Sequence, residues 1–347
     1  MVTVGSDSHK RSHTLVAVDS NGKRRGSCTV TANSAGHLEA LRWAGQWPER
    51  KWALEDCRHV SRRLEADLLR AGEVVLRVPP RLAAGARESG RERGKSDAID
   101  ALAVARAALR EPSLPVAKLE GREREAKLLL DHREDLVGER TRMQNRLRWH
   151  LHELEPGFEV AAGGLDRKRV LAKVTAQLER HRGVVAELAR DLVGRIGNLT
   201  VDINQLEHRI RELMAELSPR LLQLEGCAGL SAAKAVGETA DVSRFRSSAA
   251  YAMNNGTAPI PVSSGNRQRF RLNPGGNRQL NAALHRIAVT QLRCNGAGRA
   301  YFERRLAAGA TRREAMRSLR RRISDEVYRR LKQDFLERAT CVSAEAA

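Results

Sequence analysis

Apolar residues come in short alternating blocks through the first part of the chain and settle into helical spacing for most of the rest. Val2-Thr3-Val4 running into Gly5-Ser6-Asp7, and Thr14-Leu15-Val16-Ala17-Val18, read as two strands, with Ser20-Asn21-Gly22-Lys23 as the hairpin turn and a third strand following through Val30. An amphipathic helix is predicted from about Ser34 to Trp47, a short strand at Trp52-Ala53-Leu54 ending on Glu55, and a helix from Val60 to Arg70. Val74 to Val78 is a further strand, stopped by Pro79-Pro80. Residues 81–96 carry Arg81, Arg87, Arg91, Arg93 and Lys95 among Gly85, Gly90 and Gly94, and read as a basic loop of the kind that binds substrate beside a site. A helix opens at Asp97 and continues through Ala101-Leu102-Ala103-Val104-Ala105. A hairpin meander followed by alternating helices and strands predicts a mixed sheet flanked by helices.

Further on the period changes. From about Glu123 to Glu155 an apolar stripe of Leu129, Leu136, Met143, Leu147, Leu151 and Leu154 marks a helix that needs a partner. Leu192, Ile196, Leu199, Ile203, Leu206, Ile210, Leu213 and Leu217 then alternate spacings of four and three, a coiled-coil seam. Gly157, Gly163 and Gly164 fall in the turn between the two helices. The seam either folds back on the first helix or pairs between protomers; an exposed apolar stripe of this length favours the dimer contact. Leu221 to Val236 reads as two helices joined by a tight glycine turn, able to aim backbone amides at a phosphate or simply to pack as a core hairpin. After Ala258-Pro259-Ile260-Pro261-Val262 comes a Ser263-Ser264-Gly265 loop, then arginine-rich sequence, then Gly275-Gly276-Asn277-Arg278 opening an alanine-rich helix.

Composition narrows what such a chain can do. With 347 residues and 41% hydrophobic content it can bury cores for two or three domains. No apolar run of about 18 residues occurs, and Asp7 and His9 interrupt any secretory leader, so no membrane association and a cytoplasmic location are expected. Cys28, Cys57, Cys227, Cys294 and Cys341 are far apart, which supports neither a zinc site nor a disulfide framework. Lys and Arg number 62 against 42 Asp and Glu, a net charge of +20 that attracts polyanions. Aromatic residues are only 3%, so backbone charge and duplex shape, rather than base stacking, are the expected main mode of nucleic-acid binding.

In this basic chain the acids stand out. Asp7 and Glu55 fall at strand ends, and Asp97 and Asp100 sit three apart on one face of a helix start. Asp97 alone reads most simply as a helix cap. Carboxylates from separate elements repel unless hard cations lie between them, and paired Mg²⁺ can align the attacking and leaving oxygens of a phosphodiester. In the C-terminal part Arg267, Arg269, Arg271 and Arg278 can surround a phosphate near Ser263 and Ser264, and a serine hydroxyl can attack phosphorus when the developing charge is held. Arg299, Arg304, Arg305, Arg312, Arg313, Arg317 and Arg320 to Arg322 read as a surface that contacts the nucleic-acid backbone.

Several segments, taken in order, resemble one family. VGSDSHK at Asp7, ALEDCRH at Glu55 and GKSDAIDALAVARAAL at Asp97 and Asp100, followed by LEGCAGLSAAKAVGETADVSRF, TAPIPVSSG and RLNPGGNRQLNAALHRIAV, are similar to the DEDD-type insertion-sequence transposases, the group of bridge-RNA-guided serine recombinases. The resemblance implies an α/β plus α chain: an RNase H-like, Holliday-junction-resolvase-like domain at residues 1–115, a coiled-coil linker and dimerisation region at 116–218, and a mostly helical transposase domain at 219–347. It implies Mg²⁺ held by Asp7, Glu55, Asp97 and Asp100, and a nucleophilic serine assigned to Ser264, with Ser263 as the fallback. Arg87, Arg91, Arg93 and Lys95, with Arg267, Arg269, Arg271 and Arg278, are the expected nucleic-acid contacts. Donor and target DNA, a structured guide RNA and a homodimer or homotetramer with composite active sites complete the expectation. The rival readings are a metal-dependent resolvase-like nuclease that uses water, and a basic architectural protein without enzymatic activity.

Overall fold

The computed structural model describes residues 1–88, 94, 96–119, 121–265 and 267–345, which divide into two compact units, Met1–Glu120 and Gly121–Ala347. The first unit runs β1 (Val2–Ser8), β2 (Ser12–Val18), β3 (Arg24–Thr31), α1 (Ser34–Ala44), β4 (Arg50–Glu55), α2 (Arg58–Arg70), β5 (Val75–Val78), α3 (Pro80–Glu88) and α4 (Asp97–Arg110). The strands form one sheet in the order β3-β2-β1-β4-β5. The β1-β2-β3 meander is antiparallel, while β4 and β5 join parallel to β1 through helical crossovers. That order and those directions are the RNase H arrangement.

One expectation in this unit is corrected. Pro79-Pro80 ends β5 but also begins α3, because a proline at the first helical position lacks only an N–H that would have no partner there. Residues 81–88, expected as loop, are therefore helical, with Ala83 and Ala86 buried. Arg91, Arg93 and Lys95 lie outside the described residues.

Side-chain alternation along β1 sends Val4 into a core shared with Leu15, Ala17, Trp52, Leu54, Leu64 and Leu68, while Gly5 faces α4 on the other side. Paired with Gly5, Val16 of β2 joins Val18, Ala101, Leu102 and Ala105 in the core beneath α4. A Cβ on Gly5 would lie 2.2 Å from the Ala101 carbonyl oxygen and 2.6 Å from the Ala105 amide nitrogen. The helix thus rests directly on the strand backbone, a separation only glycine allows. Behind the sheet, His13 and His37 are both buried with ring centroids 5.3 Å apart, and His37 Nδ1 meets Asp67 Oδ2 at 2.6 Å.

The second unit comprises α5 (Arg122–Leu154), α6 (Lys168–Leu178), α7 (Val184–Leu217), α8 (Pro219–Leu222), α9 (Gly229–Thr239), α10 (Ser248–Asn254), β6 (Ile260–Ser264), β7 (Arg267–Arg271), α11 (Arg278–Arg293), α12 (Ala297–Ala307) and α13 (Arg312–Glu345). Ala126 and Leu130 of α5 share a core with Ile210 and Leu213 of α7, and Leu147 and Leu151 share another with Leu192 and Ile196, so the two long helices run antiparallel. The α7 seam expected at a dimer contact is therefore covered within the chain, by the first of the two alternatives. α6, which the glycines of the connection concealed, contributes Leu171, Val174 and Leu178 to the same core. α9 packs across α5, where Lys234, only 2% exposed, reaches Glu134 at 2.7 Å. No helix among the described residues is long and apolar enough to cross a membrane.

Gly5→Ala should destabilise the first unit by on the order of 3 kcal/mol, because the added methyl overpacks against backbone that cannot move aside; a denaturant titration followed by Trp43, Trp47 and Trp52 fluorescence measures it. Burial, reinforced by His37 and His9, pulls the His13 pKa down from 6.5 to about 4. A base with a depressed folded pKa leaves stability intact above the unfolded value and removes it as pH falls from 6.5 toward 4. The same titrations should show a loss of up to about 3 kcal/mol across that window, and His13→Leu should flatten the slope.

Candidate active site

The first turn of α4 lands beside the C-terminal end of β1, because Gly5, Asp7 and the Asp97-Ala101-Ala105 row lie along one line of approach. Asp7 is 12% exposed at its side chain, and Asp97 and Asp100 sit above it on α4. Glu55, the last residue of β4, is half-buried and follows Ala53 on the same face of the sheet. Asp7 and Glu55 each feel neighbouring acids. Burial pushes the Asp7 carboxyl up, His9 opposes the shift, and Asp100 and Asp97 add to it. Burial, then Asp7 and Asp100, push Glu55 up, while Arg87 pulls it down.

Two basic side chains already face this negative cluster. His9 Nε2 lies 3.1 Å from Asp7 Oδ2 and 3.5 Å from Asp97 Oδ1, so one ring nitrogen bridges strand and helix. Ligand atoms of Asp7, His9 and Asp97 all fall within 4.8 Å of one another, a spacing that suits a shared metal ion. Arg87 of α3 donates to Asp100 Oδ1 at 2.7 Å. Expected among the DNA-contacting arginines, Arg87 here points to the acids instead. The cap reading of Asp97 is also corrected: Ser96 caps α4 by accepting from the Ile99 amide at 3.3 Å, which leaves the Asp97 carboxylate available to His9.

In the second unit Ser263 and Ser264 lie on β6 of a two-stranded ribbon that was expected as a loop. The register pairs Ile260 with Arg271, Val262 with Arg269 and Ser264 with Arg267. The side chains of Ser264, Arg267, Gln268 and Arg269 lie outside those described. Arg271 and Arg278 are exposed and pair with no carboxylate among the described residues. The ribbon is pinned at its foot. A Cβ on Gly276 would lie 2.3 Å from the Gly256 amide nitrogen, so the outgoing and returning chains touch through bare backbone. Fully buried Asn255 donates to Ser324 Oγ at 2.7 Å and accepts from Thr257, and Asn277 caps α11 while donating to Glu238 at 2.7 Å. The glycine turn before α9 lines a cavity of about 640 Å³ together with His285, Arg286 and Arg293 of α11.

Comparison with known proteins now places this geometry. A DEDD-type transposase profile matches residues 4–156, and the profile of the IS116/IS110/IS902 transposases matches residues 218–303. The 43.6 kDa protein of insertion element IS110 from Streptomyces coelicolor is 30% identical over 284 residues, covering 66% of this chain and 69% of that protein. The chain belongs to the IS116/IS110/IS902 transposase family. The 44.8 kDa protein of insertion element IS116 from Streptomyces clavuligerus is 26% identical across 96% of both chains, and the 42 kDa protein of IS900 from Mycobacterium paratuberculosis is 25% identical across 99% of both. RuvC of T. thermophilus, solved with a Holliday junction substrate, covers 34% of this chain at 15% identity with a TM-score of 0.27; the fold assignment rests on the strand order, not on that likeness.

This transposase is thus a DNA-cutting enzyme of an insertion sequence, and its carboxylate cluster is where such chemistry can sit. Sequence reasoning missed His9 as a site residue. The Asp7-Ser8-His9 spacing carries the signal, since residues two apart at a strand end project to the same side. Acids whose folded pKa is raised contribute stability below their unfolded value and lose it as pH climbs through the folded one, so at neutral pH ionised Asp7 costs the fold stability. Asp7→Asn should therefore raise the melting temperature of the transposase in chelator, read by differential scanning fluorimetry.

Proposed function

We propose that this transposase cuts and rejoins DNA through a covalent phosphoserine on Ser264, with Mg²⁺ at Asp7, Glu55, Asp97 and Asp100, acting as a homodimer or homotetramer directed by a structured RNA. The observation that carries this reading is the meeting of Asp7 and Asp97 with His9 at a metal-holding spacing, with Asp100 near enough to raise both Asp7 and Glu55. Their donor set fits a hard divalent cation: carboxylate oxygens dominate, and burial, reinforced by neighbouring carboxylates, pushes Asp7 and Glu55 up. Asp7, Asp97 and Glu55 would hold the ion, with Asp100 joining them once Arg87 swings away toward phosphate. Bound there, Mg²⁺ supplies Lewis-acid stabilisation of charge on phosphoryl oxygens. His9 keeps Asp7 and Asp97 oriented toward a common point.

In the cleavage step the Ser264 Oγ–P bond forms, the P–O ester bond to the departing strand breaks, and the hydroxyl proton passes to the departing oxygen. The new phosphodiester retains the bond energy, so rejoining is the same exchange run backward with a different strand hydroxyl. The register that pairs Ser264 with Arg267 favours it over Ser263, which pairs with Gln268, because an arginine opposite the nucleophile suits a phosphate. The competing chemistry, attack by water as in a resolvase-like nuclease, leaves no adduct.

Incubating the transposase with DNA that carries the element ends, with and without RNA from the same element, and then denaturing it should trap a protein–DNA adduct that depends on Mg²⁺ and RNA. Ser264→Ala should lower adduct yield by at least about 1,000-fold, whereas Ser263→Ala keeps it. Cleavage that persists in Ser264→Ala assigns the attack to water and removes the serine from the mechanism.

A further inference from the structure

A second cavity lies at the foot of the ribbon, within the helical unit. About 340 Å³ in volume, it sits near the small end of the roughly 300–1,000 Å³ typical of ligand pockets. Its floor is apolar: Leu272, the residue after β7, with Leu292 of α11, Phe302 of α12 and Met316 of α13. Its rim is Arg312, Arg313, Arg317 and Arg320, all from the first turns of α13.

No carboxylate lines the cavity, and none of the four arginines is paired with one among the described residues. Arg320 is half-buried and its Nε is sealed from solvent without any hydrogen-bond partner. Burial, and then Arg317, pull the Arg320 pKa down, the signature of a cation held among cations. Glu314, the nearby acid that Arg317 attracts, is spent on the helix start, where it accepts from the Thr311 amide at 2.9 Å and hydroxyl at 2.8 Å. Arg313, Arg317 and Arg320 follow one helix face at spacings of four and three, so their charges add over one side of the opening.

The combination selects a ligand. Phosphates of an intact duplex would satisfy the rim but offer nothing to an apolar floor, because their bases are stacked inside the helix. A nucleotide drawn out of a single strand presents both a flat apolar base and flanking phosphates. We propose that this cavity receives one unstacked nucleotide of single-stranded DNA, its base on the Leu272, Phe302 and Met316 floor and its phosphates on Arg313, Arg317 and Arg320. Leu272 directly follows Arg271, whose register partner is Ile260, so a strand seated here lies at the foot of the ribbon that carries Ser264 toward its tip. The site does not depend on the serine chemistry and is tested without it.

The full-length transposase is titrated, in chelator so that nothing is cut, against a fluorescein-labelled single-stranded DNA, the matching duplex and the RNA of the same sequence, with anisotropy as the readout. Leu272→Gln is the informative variant, since Leu272 is 49% exposed and the fold tolerates a polar side chain there. It should weaken single-stranded DNA binding by about tenfold and leave duplex binding within about twofold. Arg317→Gln combined with Arg320→Gln should weaken single-stranded binding further and lower its dependence on salt by close to two phosphate contacts. A scan of single abasic positions along the strand should find one position at which losing the base reproduces the Leu272→Gln loss. Unchanged single-strand binding in both variants, or equal losses on duplex and single strand in Leu272→Gln, overturns the proposal; a loss confined to the RNA overturns its assignment to DNA.

Discussion

The contact between α4 and β1 governs this molecule, because a helix lying on bare strand backbone at Gly5 fixes where its first turn must end. From Ala101 and Ala105 above Gly5, the rise of the helix carries Asp97 and Asp100 back over Asp7. Glu55 arrives from the neighbouring parallel strand on the same face. None of these acids is held in place by a neutral hydrogen-bond network of its own. They are brought together by packing and kept together by His9 and Arg87, so the site is an electrostatic conflict that the surrounding core outweighs.

That conflict has a functional logic. A cluster of acids already neutralised by firm internal ion pairs would bind a divalent ion weakly. Here the internal partners are adjustable. His9 is half exposed and Arg87 is 43% exposed at their side chains, and each can turn away without leaving a hole in the core. The second unit treats charge differently: Lys234 is sealed between α9 and α5 against Glu134 and Asp131, and Glu238 joins Lys127 to Asn277. Those pairs bind elements together.

Much of the first unit was legible because its sheet obeys period-two alternation and its helices obey the longer period, so β1 to β5 and α4 can be read with small boundary errors. Reading failed where a residue type has two opposite uses. Pro80 both ends a strand and begins a helix, and the glycines of residues 81–96 drew attention away from the Leu82-Ala83-Ala84 segment that makes α3. Ser263-Ser264-Gly265 looked like a loop because Pro259 and Pro261 precede it, yet an isolated two-stranded ribbon tolerates a proline at its exposed edge. The α7 seam was visible, but its partner was not, since a heptad pattern does not say which helix covers it. Of the site, the four acids were legible as a set; His9 and Arg87 were not, because their part depends on where α3 and the strand end lie in space.

The crossing of Gly256 and Gly276 gives the ribbon a peculiar standing in the chain. Its departing and returning backbones pass through one narrow doorway in the helical body, so loop closure is settled at the threshold and not at the tip. The hairpin tip beyond the doorway can grow or shrink while the helices behind it keep their packing, whereas Leu272 at its foot is built into the body. Change at the tip therefore needs no redesign of the body.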